Sequence, residues 1–244
     1  MNQFHNQTIE NLYSTKKVYA PDGKEFELGG SVSKEEAYRL YDAVIKLNAK
    51  NTLETGFAYG ASSIAIMEGL KANGGGKHIV IDPYQEDYHF IGTNMAKIYG
   101  LSEHLSFHHK FAEEVIPNLD HNLDFAFIDS SHVFDLTITE FVLIDKKLKV
   151  GGIIGFHDLW MPAIEKFIRF VLKNRKYEIH SYLPTSKRKT WKHHISSLLK
   201  SLPFAHKIFN EKILDPFSAR NFPNMILLKK VAEDKRHWQY FKDF

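Results

Sequence analysis

The chain has 244 residues, of which 43% are hydrophobic and 25% are charged, a composition typical of one folded domain. It contains no cysteine, which excludes disulfide bonds, thiolate metal sites and cysteine nucleophiles. The net charge is +3, but segment 184–210 carries six Lys and Arg residues and no acid, so the basic character is local. We expect a single domain over residues 1–244, with an N-terminal extension over 1–32 and a basic insert, a possible lid, over 184–222.

The first ten residues are polar and lack the apolar core of an export signal. No run approaches the roughly 18 apolar residues that a membrane-spanning helix needs. These two observations predict a cytoplasmic protein.

Apolar periodicity predicts helices that alternate with strands after an extension with a turn at 21–23. Ser33 and Glu36 have the spacing of a capping box at the start of the first helix. The predicted helices cover 33–48, 61–70, 86–99, 112–119, 134–148 and a segment from 162, and the predicted strands cover 51–54, 78–82, 105–109, 124–129, 153–156, 177–183 and 225–229. This alternation predicts a doubly wound α/β fold with a mostly parallel seven-stranded sheet and a helical insert before the last strand.

The segment from Glu54 to Ser62 joins the first predicted strand to a helix through two glycines, Gly56 and Gly60. Glycine allows positive φ and close approach of the backbone to a ligand, and the helix start offers free N–H groups. The spacing is neither that of a dinucleotide loop nor that of a P-loop. A tight turn without a ligand is the alternative. The pattern resembles the first motif of class I S-adenosylmethionine-dependent methyltransferases, and Phe57 lies within it.

Three further positions continue this resemblance. Asp82 ends the second predicted strand, and in the family an acid there accepts the ribose hydroxyls of the cofactor. Ala112 stands where the family has a small residue beside the adenine. Asp129, at the end of the fourth strand, is expected to border the cofactor as well. For Asp82, a helix cap or a solvated loop acid remains the alternative.

The acids and histidines that end the fourth and fifth strands resemble those of metal-dependent O-methyltransferases of the caffeoyl-CoA and macrocin group. The resemblance implies that Asp129, His157 and Asp158 hold a divalent cation: magnesium, manganese or calcium. His157 departs from the family, which uses oxygen ligands there, and imidazole favours transition metals. His132 stands where the caffeoyl-CoA group has a lysine, and a neutral histidine suits the catalytic base. Alternatively, Asp158 caps the helix that begins near Pro162, and His132 is a surface residue.

The resemblance therefore implies an S-adenosylmethionine-dependent O-methyltransferase, metal-assisted or not, acting on a hydroxyl of a small molecule or sugar. With Asp129 and His132 as catalytic residues, the protein would align the acceptor oxygen and remove its proton. A second hypothesis is a non-catalytic nucleotide-binding module that engages RNA, anionic lipid or a glycan carrier through the basic insert. A solvated lid is favoured over nucleic-acid binding there, and peripheral membrane contact and a homodimer stay open. An NAD-dependent enzyme is disfavoured by the glycine spacing.

Overall fold

The computed structural model describes residues 5–120, 122–182 and 224–244. The helices of these residues are α1 (Gln7–Thr15), α2 (Lys34–Lys46), α3 (Ala61–Ala72), α4 (Ile91–Ile98), α5 (Ala112–Val115, continued by a 3₁₀ turn), α6 (Phe134–Asp145) and α7 (Pro162–Asn174). The strands are β1 (Lys17–Tyr19), β2 (Glu25–Glu27), β3 (Asn51–Thr55), β4 (Lys77–Ile81), β5 (Leu105–His108), β6 (Leu123–Ile128), β7 (Leu148–Phe156), β8 (Tyr177–Tyr182) and β9 (Ile226–Lys230).

Seven strands form one sheet in the order β5-β4-β3-β6-β7-β9-β8. Strand β9 runs antiparallel to both of its neighbours, and every other neighbouring pair is parallel. The predicted doubly wound, mostly parallel sheet is therefore confirmed. Its order reverses between β3 and β6, so the loops that follow these strands diverge and leave a crevice at the carboxyl edge.

Two apolar cores lie on opposite faces of the sheet. On β6, Phe125 and Phe127 pack into the core that α2 and α3 cover, whereas Ala126 and Ile128 pack into the core that α6 and α7 cover. Successive side chains of a strand point to opposite faces, so one buried strand supplies both layers. The central strands are thus held from both sides, which fixes where their carboxyl ends lie.

The N-terminal segment differs from the predicted extension. It forms α1 and a hairpin of β1 and β2, with the turn closed by a bond from Gly23 N–H to the Ala20 carbonyl. Helix α1 buries only two side chains, Ile9 and Leu12, too few to give a clear apolar period. The start of α1 is held by Glu68 of α3, whose carboxylate accepts hydrogen bonds from the side chains of Asn6 and Thr8, at 2.8 Å each.

Other differences lie at element ends. The predicted helix 86–99 begins only at Ile91, because turns with positive φ at His89 and Phe90 precede it. Strand β7 begins at Leu148, earlier than predicted, and continues through Gly151 and Gly152. The predicted insert 184–222 lies outside the described residues. Among the residues that are described, no helix is long and apolar enough to cross a membrane.

Candidate functional site

A cavity of about 700 Å³ opens where β3, β4, β5 and β6 end. This volume is in the range of small-molecule and cofactor sites, roughly 300–1,000 Å³. The walls are the loops that follow the four strands, the start of α3, one side of α6 and residues 30–32 before α2. Of the eight residues predicted to bind the cofactor, seven line this cavity: Gly56, Phe57, Gly60, Ser62, Asp82, Ala112 and Asp129.

The glycine turn after β3 needs its glycines. Gly56 has a φ of +88°, and a Cβ there would lie 2.1 Å from the carbonyl oxygen of Asp129. Gly60 has a φ of +84°, and its Cβ would lie 3.0 Å from the Cα of Gly92. Helix α3 begins directly after Gly60 without a side-chain cap. Its first N–H groups therefore remain available to an anionic group of a ligand.

Asp82, at the end of β4, ties the glycine turn to its neighbours. Its Oδ2 accepts hydrogen bonds from the backbone N–H groups of Phe57 (3.0 Å) and Ala58 (3.2 Å) and from the Gln85 side chain (3.0 Å). Its Oδ1 accepts one bond, from the Tyr84 N–H at 2.8 Å. A carboxylate has about four acceptor sites, shared between two oxygens. Asp82 therefore supports the turn and keeps capacity on Oδ1 for a ligand hydroxyl.

Glu54 is the one predicted cofactor residue that does not line the cavity. Its side chain is fully buried behind the turn, and its carboxylate accepts hydrogen bonds from the hydroxyls of Ser62 and Ser63. The His78 ring lies 3.0 Å from the same carboxylate. Glu54 thus anchors the start of α3, and a direct contact with the cofactor would require these bonds to break.

Beside the cavity, two carboxylates and two histidines form a cluster, with Asp129 belonging to both the cluster and the cavity wall. His132 Nε2 lies 3.2 Å from Asp129 Oδ1 and 3.2 Å from Asp158 Oδ2. His157 Nδ1 lies 3.4 Å and 3.6 Å from the same two oxygens. His132 and Asp158 both have positive φ, 56° and 54°. Such backbone conformations in non-glycine residues are uncommon and concentrate at functional sites.

The contacts within the cluster shift its pKa values. Hydrogen bonds to Asp129 and Asp158 raise the pKa of His132 to about 9. Burial disfavours the charged form of His157, but its carboxylate neighbours outweigh burial and raise its pKa to about 12. Burial would raise the pKa of Asp129 and Asp158, yet the two imidazoles hold both below the ordinary value. Without a cation, the two carboxylates therefore favour the protonated form of His132 at pH 7, and its role as a neutral base stays a prediction.

Glu36 adds a contact that its position in the sequence did not reveal. It completes the predicted capping box of α2, accepting a bond from the Ser33 N–H at 2.7 Å. Its Oε2 also lies 3.3 Å from His157 Nε2, and its Oε1 accepts a bond from Asn224 at 3.1 Å. Both Glu36 and His157 are buried. A carboxylate that holds one imidazole nitrogen fixes the direction in which the other nitrogen points.

We expect the E36Q variant to lower the free energy of unfolding by about 1–3 kcal/mol, because it leaves the buried imidazole and a helix N–H with a weaker partner. Glu35 lies beside it in the same helical turn but is exposed, so E35Q should change stability by less than about 0.5 kcal/mol. Urea unfolding of the two variants gives the comparison. If E36Q and E35Q lost the same free energy of unfolding, the contact between Glu36 and His157 would not contribute to stability.

Some residues of the site were not predicted at all. Glu140 lines the cavity from α6, and Tyr84 and Phe111 flank it as an edge-to-face pair with ring centres 6.1 Å apart. Glu140 had a signal in the sequence, since it is the single acid between Asp135 and Asp145 on a mostly apolar helix. Tyr84 and Phe111 follow different strands, and only the fold brings them together.

The residues present fit S-adenosylmethionine. The glycine turn has no room for a Cβ, the start of α3 can receive a carboxylate, and Asp82 can accept a ribose hydroxyl. The cluster also fits a divalent cation, since one ligand atom from each of Asp129, His132 and Asp158 lies within 4.8 Å of the others. Two carboxylate oxygens with an imidazole suit manganese or iron better than calcium.

Residues 53–159 match the family of sequences described as a methyltransferase domain. No curated protein matches the chain significantly. Among solved structures, an O-methyltransferase from Bacillus cereus in complex with SAH is 14% identical, with a TM-score of 0.62 over 93% of this chain and 92% of that one. TomG from Streptomyces achromogenes, an O-methyltransferase of tomaymycin synthesis in complex with SAM, is 13% identical, with a TM-score of 0.58 over 94% and 92%.

A methyltransferase from Podospora anserina, bound to SAH, is 14% identical and gives a TM-score of 0.60 over 93% of this chain and 88% of that one. At these identities the structures agree with this chain in fold alone, and the family match covers the segment from the glycine turn to the end of the fifth parallel strand, β7. Residues 53–159 of this chain therefore match a methyltransferase domain in sequence, and the sheet has the class I methyltransferase fold that the motifs predicted.

Proposed function

We propose that this protein is an O-methyltransferase that acts on a hydroxyl of a small molecule or a sugar. The proposal rests on the position of Asp129, which belongs both to the cavity wall and to the cluster of histidines and carboxylates. It lines the cavity and lies within 3.4 Å of both histidines of the cluster. A group that removes a proton is thus held beside the wall of the cofactor cavity, as transfer to oxygen requires.

The chain would hold the cofactor with residues of three strand ends. The first N–H groups of α3 bind its carboxylate, Asp82 accepts from its ribose, and Ala112 borders its adenine. When bound, S-adenosylmethionine supplies a methyl group that is already electrophilic. The protein then has to align the acceptor oxygen and accept its proton, and alignment alone can lower a barrier by several kcal/mol, about 7–11 in favourable cases.

His132 Nε2 is the atom that we assign to take the acceptor proton, and it can do so only when neutral. Asp129 and Asp158, with His157 Nδ1 after loss of its proton, would hold a divalent cation, which would lower the pKa of the acceptor hydroxyl. The cation would also displace the His132 N–H from the same two carboxylate oxygens. His157 fits the ligand role better than His132, because Glu36 holds its other nitrogen at 3.3 Å.

The experiment is a methyl-transfer assay with S-adenosylmethionine and a panel of catechols, phenols and sugars, with production of S-adenosylhomocysteine as the readout. We expect turnover with a hydroxylated acceptor that rises with manganese or magnesium and falls with a chelator. Calorimetry with S-adenosylhomocysteine should show binding with or without the cation, because the cavity residues other than Asp129 do not belong to the cluster. Binding of neither S-adenosylmethionine nor S-adenosylhomocysteine would refute the proposal.

A further inference from the structure

Glu140 is a carboxyl group of the cavity that the reaction described above does not use. It projects from the middle of α6, and its Oε2 accepts hydrogen bonds from the hydroxyls of Ser130 at 2.7 Å and Thr55 at 2.9 Å. Both bonds end on the same oxygen. Within the described parts of the chain, no donor is bonded to Oε1, although Glu140 lines the cavity.

A charged carboxylate in this position lowers stability unless hydrogen bonds replace its contacts with water. Burial raises the pKa of Glu140, which means that its charged form lacks the favourable contacts that water would give. Neighbours on the same helix, Phe141 and Ile144, are buried in the apolar core. Glu140 is half-buried, and a carboxylate oxygen that is partly removed from water regains stability from a hydrogen-bond donor. A ligand that displaces water from this part of the cavity can supply that donor.

Glu140 lies close enough to Glu113, the residue after Ala112, for their charges to interact, so the groups at this end of the cavity indicate which part of the ligand meets Glu140. As proposed above, the start of α3 binds the carboxylate of the amino-acid part of the cofactor, and Asp82 accepts a hydrogen bond from the ribose. Strand β5 lies next to β4 on the side away from β3, and the loop that follows it supplies Phe111 and Ala112. Phe111 and Tyr84 are large exposed aromatic side chains, 48% and 57% exposed. Flat apolar surfaces of this kind receive a planar base.

We propose that Glu140 determines the base specificity of the site, with its Oε1 accepting a hydrogen bond from the exocyclic amino group of adenine. The proposal rests on the proposed function, since it requires an adenosine-containing cofactor. Ser130 and Thr55 act as positioning residues, because they hold Oε2 and so leave Oε1 to the ligand. A base that presents an oxygen or no substituent at this place gives Oε1 no donor and binds more weakly.

The test compares S-adenosylhomocysteine with its analogue that lacks the exocyclic amino group, using calorimetry on the wild type and on the E140L variant. We expect the wild type to prefer S-adenosylhomocysteine by about tenfold or more, the value of one hydrogen bond to a charged group. In E140L the preference should disappear, while the affinity for the analogue changes little. That unchanged affinity also reports that the variant is folded.

Glu113 supplies the comparison, because it is the other acid of this end of the cavity and is exposed. E113L should keep the preference of the wild type. Equal affinity of the wild type for both ligands, a preference that persists in E140L, or a preference lost in E113L instead would each overturn the assignment. If the wild type bound neither ligand, the proposed function itself would fail, which separates the two results.

Discussion

The D129N/D158N double variant should transfer methyl groups roughly 10²–10⁴-fold more slowly than the wild type, the usual contribution of proton transfer by a positioned group. The two carboxylates hold both histidines of the cluster, at 3.2–3.6 Å, so neutral amides would release His132 and remove the proposed cation ligands together. The affinity for S-adenosylhomocysteine should be largely retained, since the glycine turn and Asp82 are untouched. Initial rates and calorimetry measure the two quantities separately.

A control with the same chemical change uses two exposed acids, Asp22 and Asp135. The D22N/D135N double variant should keep both the rate and the affinity of the wild type. If the D129N/D158N variant transferred methyl groups at the rate of the wild type, the assignment of the catalytic cluster would be wrong.

The G56A variant should lose cofactor binding and about 2–5 kcal/mol of stability, combining an unfavourable positive φ with a steric clash. The added Cβ would lie 2.1 Å from the Asp129 carbonyl oxygen, which is backbone and cannot rotate away. The turn or the end of β6 must therefore move, and both form the cavity wall. Urea unfolding gives the loss of stability, and calorimetry with S-adenosylhomocysteine gives the loss of binding.

Gly23 allows the two causes to be separated. Its φ is +85°, close to that of Gly56, but an added Cβ would meet nothing within 4 Å. G23A should therefore cost only the conformational term, roughly 1–2 kcal/mol, and leave binding intact. Equal losses in G23A and G56A would mean that the clash with β6 contributes nothing.

Much of the site could be predicted because parallel strands bring their carboxyl ends to one edge. Gly56, Asp82 and Asp129 follow three such strands, and the order of the sheet places all three in one cavity. The glycines were informative for a local reason: their positive φ excludes other residues. Neither inference required knowledge of contacts between distant segments.

The rest depended on contacts that no local pattern encodes. Glu36 fitted a capping box, which fully explained its presence, yet it also contacts His157, 121 residues away in the chain. The raised pKa of His132 follows from two carboxylates on different loops, whose proximity the sequence around this histidine does not reveal. Helix α1 depends on Glu68 for its N-terminal contacts rather than on its own apolar period.

The contact of Gly56 with the end of β6 has a consequence for how this protein can change. The backbone of the glycine turn, which we propose binds the nucleoside, directly contacts the backbone of Asp129, the carboxylate that we assign to the reaction, with no side chain between them. A substitution that moves the glycine turn will therefore also move Asp129. If Glu140 binds the base as we propose, a change in base preference is easier to obtain at Glu140, which lies on the separate helix α6, than at the turn.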